Sequence, residues 1–205
     1  MLVLAGLVTI GLVLTPGSGG DEAAEANEPG AEPANIEPPP AGEPIEIGTA
    51  DGFKYRLAAV STGLNEEAVA ASQTALPSGT SYPYIDYLLT NPTEQEVLLE
   101  YPGDIFVKRD LVASEGLERC EPQGGAPEDM CTPATNSEIT QRLVGGELIP
   151  GDGGDQYMPP NSTYMVRITA EVPIDSDVGS SDISLYVWNQ IFMGTDPAEH
   201  VPFPE

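Results

Sequence analysis

Positive charge is scarce in this chain: seven Lys and Arg stand against 33 Asp and Glu, a formal net charge of −26. Phosphate recognition needs Lys and Arg in excess, so nucleic acid and an anionic lipid surface are excluded as partners. Histidine occurs once, at position 200, and cysteine twice, at 120 and 131. A closed zinc site takes four ligands, usually as two close pairs, which this inventory does not supply. A nucleophile–histidine–carboxylate relay would have to use His200, in the proline-flanked stretch AEHVPFPE. A histidine there reads as an exposed bystander, so no catalytic residue is assigned. A phosphate loop between strand and helix is lacking, as is any internal repeat, and no cofactor is implied. Glycoside hydrolysis needs only two spaced carboxylates, but among so many acids no pair stands out.

What is present begins with an apolar run from Met1 to Leu14, closed by Thr15, Pro16 and a Gly/Ser patch. The run is shorter than the roughly 20 residues of a membrane span and suits the core of a signal peptide. Since no Lys or Arg precedes it, a shortened membrane anchor stays open as the alternative for residues 1–20. No cysteine follows, which excludes a lipoprotein anchor at this position. Either reading places the protein outside the cytoplasm, secreted or anchored at the cell surface, touching a membrane only through this segment.

Residues 21–44 carry seven acids, six prolines and six alanines, with Ile36 as the one sizeable aliphatic. So little apolar surface cannot offset the entropy of ordering, and the segment is expected to be a disordered, extended spacer. Residues 45–205 are expected to form the folded domain.

From Ile45 onward the pattern has period two. FKYRLAAV (53–60) sets Phe53, Tyr55, Leu57 and Ala59 against Lys54 and Arg56. YPYIDYLLTN (82–91) alternates and stops at the turn signal Asn91-Pro92-Thr93. VLLEY (97–101), DIFVKRDLV (104–112) and EITQRLV (138–144) follow. TYMVRITAEV (163–172) alternates throughout, and DISLYVWN (182–189) closes the series. Only LNEEAVAASQ (64–73) reads as a short helix. About seven short strands separated by turn chemistry predict an all-β, antiparallel two-sheet sandwich of immunoglobulin-like type.

The stretch YIDYLLTNPTEQEVLLEYPGDIFVKRD, followed later by MPPNSTYMVRITAEVP, resembles the telokin-like, immunoglobulin-like domains exported by Gram-positive, actinobacterial-type bacteria. The resemblance covers residues 50–190 and consists of strand-and-turn grammar. It implies an extracytoplasmic sandwich, often carried on an anchored stalk and largely of unknown function, and transfers no catalytic residue. The cysteine-bearing insertion departs from the simplest members.

Three sets of residues are candidates for chemistry. Cys120 and Cys131 enclose ten residues, a spacing that fits neither a thioredoxin-like pair nor a zinc clip. In an exported chain they are expected to form a disulfide around a polar, projecting loop. Asp152 and Asp155 in one loop, and Asp175, Asp177 and Asp182 in another, are oxygen donors of the kind calcium takes. The second loop lacks the turn glycine and closing glutamate of an EF-hand, with Ser180 and Tyr186 at those places, so solvated turn acids are the simpler reading. Tyr186 and Trp188 share one face of the last strand, opposite Ile183, Leu185 and Val187. Exposed, they would be an apolar platform for a sugar ring or a partner protein; buried, they are packing. The expected function is a non-catalytic binding module for a protein or a cell-wall glycan. A secreted inhibitor or regulator of an extracellular enzyme is the alternative, and an exported hydrolase using loop carboxylates a third.

Overall fold

The computed structural model describes residues 33–49, 52–67, 76–114, 116–179, 181–188 and 197–205. All of them belong to one compact unit spanning Ala31–Glu205. The signal or anchor segment, residues 21–32 of the expected 21–44 spacer and the 68–73 part of the expected helix lie outside the described residues. Leu64 and Asn65, the start of that expected helix, are strand.

In chain order the strands are β1 (Ala34–Asn35), β2 (Ile45–Gly48), β3 (Lys54–Asn65), β4 (Thr80–Asn91) and β5 (Val97–Leu98). They continue as β6 (Gly103–Lys108), β7 (Cys120–Glu121), β8 (Met130–Pro133), β9 (Thr135–Gly145) and β10 (Ile149–Pro150). The last five are β11 (Gln156–Met158), β12 (Ser162–Ala170), β13 (Ile174–Asp175), β14 (Ile183–Val187) and β15 (Glu199–Val201). The first sheet runs β1-β9-β12-β4-β3-β2, with β13 also on β4. The second runs β15-β14-β6-β8-β7, and a small third sheet runs β10-β11-β5. Every pairing is antiparallel.

Taken in chain order, β3, β4, β6, β9, β12, β14 and β15 are the seven principal strands of an immunoglobulin-like sandwich. The first, second, fifth and fourth form one sheet (β3-β4-β12-β9), and the seventh, sixth and third form the other (β15-β14-β6). Two sequence expectations are corrected in detail. VLLEY contributes only the two residues of β5, in the accessory sheet, because the chain reaches Pro102 soon after. The seventh strand is instead Glu199–Val201, hidden from sequence reading by its flanking prolines.

Alternation builds the core as the pattern dictates. Tyr55, Leu57 and Ala59 of β3 and Ile85, Tyr87 and Leu89 of β4 lie fully buried with Val166, Ile168 and Ala170 of β12. They meet Ile105, Val107, Ile183, Leu185, Val187 and Val201 from the second sheet. The outer face of the first sheet has its own order. Arg167 stands directly opposite Asp86 and makes two 2.8 Å bonds to its carboxylate, with the guanidinium 3.9 Å over the Tyr84 ring. Gly63 makes room for that ring, since a Cβ there would fall 2.5 Å from it.

Asn91 closes the inner end of β4. Fully buried, it donates to the carbonyls of Gln95 (2.7 Å), Pro159 (2.9 Å) and Met158 (3.2 Å). Its own oxygen accepts from the Thr93 amide and hydroxyl. One side chain therefore fixes the 92–96 turn and the entry to β12. Asn161, at φ 53°, occupies that entry in the left-handed region that Asn tolerates.

Residues 33–44 do not behave as a free spacer. Ala34 and Asn35 pair with β9, Ile36 donates to the Leu143 carbonyl, and Gly42 donates to the Ala59 carbonyl. β1 and β2 lie at opposite ends of the sheet order, five spacings or about 24 Å apart. Residues 36–44, extended at about 3.1 Å each, reach about 28 Å, enough to cross. Ala41, Gly42 and Pro44 stand over the outward-facing Arg56, Ala58, Leu88 and Thr90, leaving a gap of about 300 Å³. The segment is thus a strap across the first sheet. Composition alone misses this because prolines that fix φ lower the entropy lost on docking, and both sheet edges offer unpaired backbone groups.

Replacing Asn91 with Ala removes a donor from the buried Met158 and Pro159 carbonyls and releases the 92–96 turn, and should lower unfolding free energy by about 3 kcal/mol, read from the denaturant midpoint. Truncation to residue 33 should leave that midpoint unchanged, whereas truncation to residue 45 should lower it, because only the second removes the strap.

Candidate functional site

The cysteines are joined as expected. Cys120 and Cys131 form a disulfide with Cα atoms 5.3 Å apart, and both are buried against the main core. The bond closes the base of a hairpin in which β7 pairs β8. The chain then changes sheets within one residue, Ala134, from β8 to β9. Across that step the Thr135 hydroxyl donates to Asp104 (3.3 Å), whose carboxyl burial holds above the usual range.

The loop between the cysteines was expected to project; it folds back. Ala198 donates to the Gly124 carbonyl at 2.9 Å. Gly125, at φ 95°, lies so close that a Cβ would sit 2.4 Å from the Ala198 nitrogen. Met130 and Ala126 cover the outer face of the second sheet. Beneath them lie the aromatics singled out in the sequence. Tyr186 is 5% exposed, its ring 4.6 Å from Phe106, and Phe106 is 6.2 Å from the half-buried Trp188. Of the two alternatives for Tyr186 and Trp188, an exposed platform for a ligand or packing, the structure shows packing: they belong to a second, smaller core roofed by the disulfide loop. His200 meets Tyr186 edge-on at 5.3 Å.

The aspartates do not assemble into a calcium cage. Asp152 and Asp155 are exposed in a turn of their own, in which Asp155 donates to the Asp152 carbonyl. Asp175 accepts from the Asp177 amide. Asp182 is engaged by Lys108 (2.7 Å) and the Gly179 amide (2.6 Å), contacts that hold its carboxyl below the usual range. Among the described residues no three His, Cys, Asp or Glu side chains gather as a metal-ligand group.

Sequence reasoning passed over a concavity between the edges of the two sheets. Among the described residues β2 and β15 are the terminal strands of their sheets, and they border one cleft of about 510 Å³. Glu43, Pro44, Ile45 and Glu46 form one wall; Glu199, His200 and Pro202 form the other. Chain packing holds the walls together at the base, where Gly42 lies against the Pro202 carbonyl with no room for a side chain. The three glutamates are not equivalent. Glu46 receives Lys54 (3.0 Å) and Arg56 (3.2 Å), which hold its carboxyl below the usual range. Glu43 and Glu199 make no ion pair among the described residues, so one uncompensated carboxylate stands on each wall. The available signal was Val201 and Phe203, two apolar residues in an otherwise polar, proline-rich tail.

No family model matches this chain, and no curated protein matches it. Among solved structures, an uncharacterized β-sandwich protein from Clostridium difficile 630 is similar at 15% identity and a TM-score of 0.34. That match covers 85% of this chain and all of the other. The similarity bears on no functional residue. Among the described residues no helix is long and apolar enough to cross a membrane.

Removing the disulfide by replacing both cysteines with Ala should cost about 3 kcal/mol of stability. It should also shift the emission of Trp188, the sole tryptophan, to longer wavelength as the roof over Phe106 and Tyr186 loosens. Unfolding curves and fluorescence spectra of the double variant test both outcomes.

Proposed function

We propose that the protein is a non-catalytic, extracytoplasmic interaction module that binds its partner in the cleft between β2 and β15. The observation that carries this reading is the pairing of two open strand edges across one concavity whose walls hold uncompensated charge. Sheet edges present unpaired N–H and C=O groups, which makes them natural sites for another chain. Of the other places singled out in the sequence, Tyr186 is covered by the disulfide loop and Asp182 is held by Lys108.

Export is part of the same proposal. The disulfide is of the kind that persists in oxidising compartments, and the apolar Met1–Leu14 run fits a leader or anchor. A telokin-like exported domain carried close to a membrane is the family picture that agrees with these features. With residues 33–44 docked on the sheet, the spacer between that leader and the domain shrinks to residues 21–32.

A photo-crosslinking residue in place of Glu199, in the full chain inside the cells that produce it, tests the location. Adducts are expected there and not from the same residue in place of Gln141, which is exposed on β9 away from the cleft. Adducts from position 141 alone, or from neither, would overturn the assignment.

A further inference from the structure

Resting on the interaction-module reading, we infer that the cleft takes an extended, cationic peptide segment, added as a strand along the free edge of β2. The edge gives the geometry. Among the described residues β2 pairs only with β3, with register from Ile45–Leu57 to Gly48–Lys54, and its Ile45–Glu46 end borders the cleft. A segment lying there would exchange main-chain hydrogen bonds with β2 while Glu199 and His200 form the facing wall.

Charge gives the class of occupant. Glu46 is already neutralised by Lys54 and Arg56, which leaves Glu43 on one wall and Glu199 on the other. A Lys or Arg on the incoming strand can face either. The net charge of −26 adds a long-range attraction for cations and repels a second copy of this chain, whose cleft carries the same acids. Pro44 and Pro202 bound the cleft and keep the free edge short, which further discourages self-pairing. The same devices that keep copies apart therefore select a partner of opposite charge.

The test uses the full chain and three short synthetic peptides, with binding read by fluorescence polarisation and β2 protection read by amide hydrogen exchange. The probes are an alternating Lys/Val peptide, an alternating Glu/Val peptide, and the Lys/Val peptide with every second backbone nitrogen methylated. The Lys/Val peptide is expected to bind, more weakly as salt rises, and to slow exchange over Ile45–Gly48. The Glu/Val peptide should not bind, and N-methylation should weaken binding by about tenfold or more. The Glu43→Lys/Glu199→Lys variant should lose about tenfold for the Lys/Val peptide. The Glu43→Gln/Glu199→Gln variant, a milder change, should lose part of that. Equal binding of the methylated peptide would overturn strand addition, and equal binding of the Glu/Val peptide would overturn the charge selection. If no peptide binds while position 199 still yields adducts, the occupant class is wrong and the module reading stands. If position 199 yields none, the module reading itself falls.

Discussion

The antiparallel pairing of β4 with β12 is the constraint from which the rest of the sandwich hangs. It runs without a register shift from Asn91–Ser162 to Tyr84–Thr169. Because side chains alternate across a sheet, a slip of one residue would move Ile85, Tyr87, Leu89, Val166 and Ile168 out of the core together. The register is pinned on both faces and at one end. Outside, Arg167 faces Asp86 and the Thr90 and Thr163 hydroxyls meet at 3.0 Å. At the end, Asn91 donates to three carbonyls, of Gln95, Met158 and Pro159, and so ties the end of β4 to the turn that follows and to the entry of β12. Paired charges, a hydroxyl pair and a buried amide thus all specify one alignment.

The elements legible in the sequence were those whose pattern is local. Tyr164, Val166, Ile168 and Ala170 were read as one face of a strand, and that face is buried in the core. The division of Ile183, Leu185 and Val187 from Tyr186 and Trp188 was likewise visible, since it follows from the period of a strand. What the second face meets was not. Its cover comes from Ala126 and Met130, distant in sequence and embedded in a polar, glycine-rich loop that composition assigns to solvent. The strap failed for a related reason. Disorder is judged from the apolar area a segment can bury, whereas residues 34–42 are held by backbone bonds to Leu143 and Ala59 and by prolines that have little freedom to lose. The cleft was hidden because its walls come from the two ends of the domain, near residues 43 and 200.

Charge in this molecule is distributed with more economy than the total suggests. Five of the seven cations are engaged by carboxylates: Lys54 and Arg56 by Glu46, Lys108 by Asp182, Arg142 by Glu147 and Arg167 by Asp86. Several of these pairs tie neighbouring strands, as Lys54 and Arg56 on β3 do with Glu46 on β2. Exposed pairs of this kind contribute little to stability on their own. Their effect here is to decide which acids remain uncompensated, and two of those border the free sheet edges.

The strap gives the domain a mechanical character. A pull arriving from the N-terminal side meets Ala34–Asn35 on β9 and the Gly42–Ala59 bond before it reaches any strand of the core. Those few bonds can peel one after another, because each lies at the edge of the sheet. Releasing residues 33–44 would pay out about 40 Å of chain at roughly 3.3 Å per residue, with the β4–β12 pairing still intact. Under tension the protein would therefore lengthen first and unfold only later, with the strap as its extensible element.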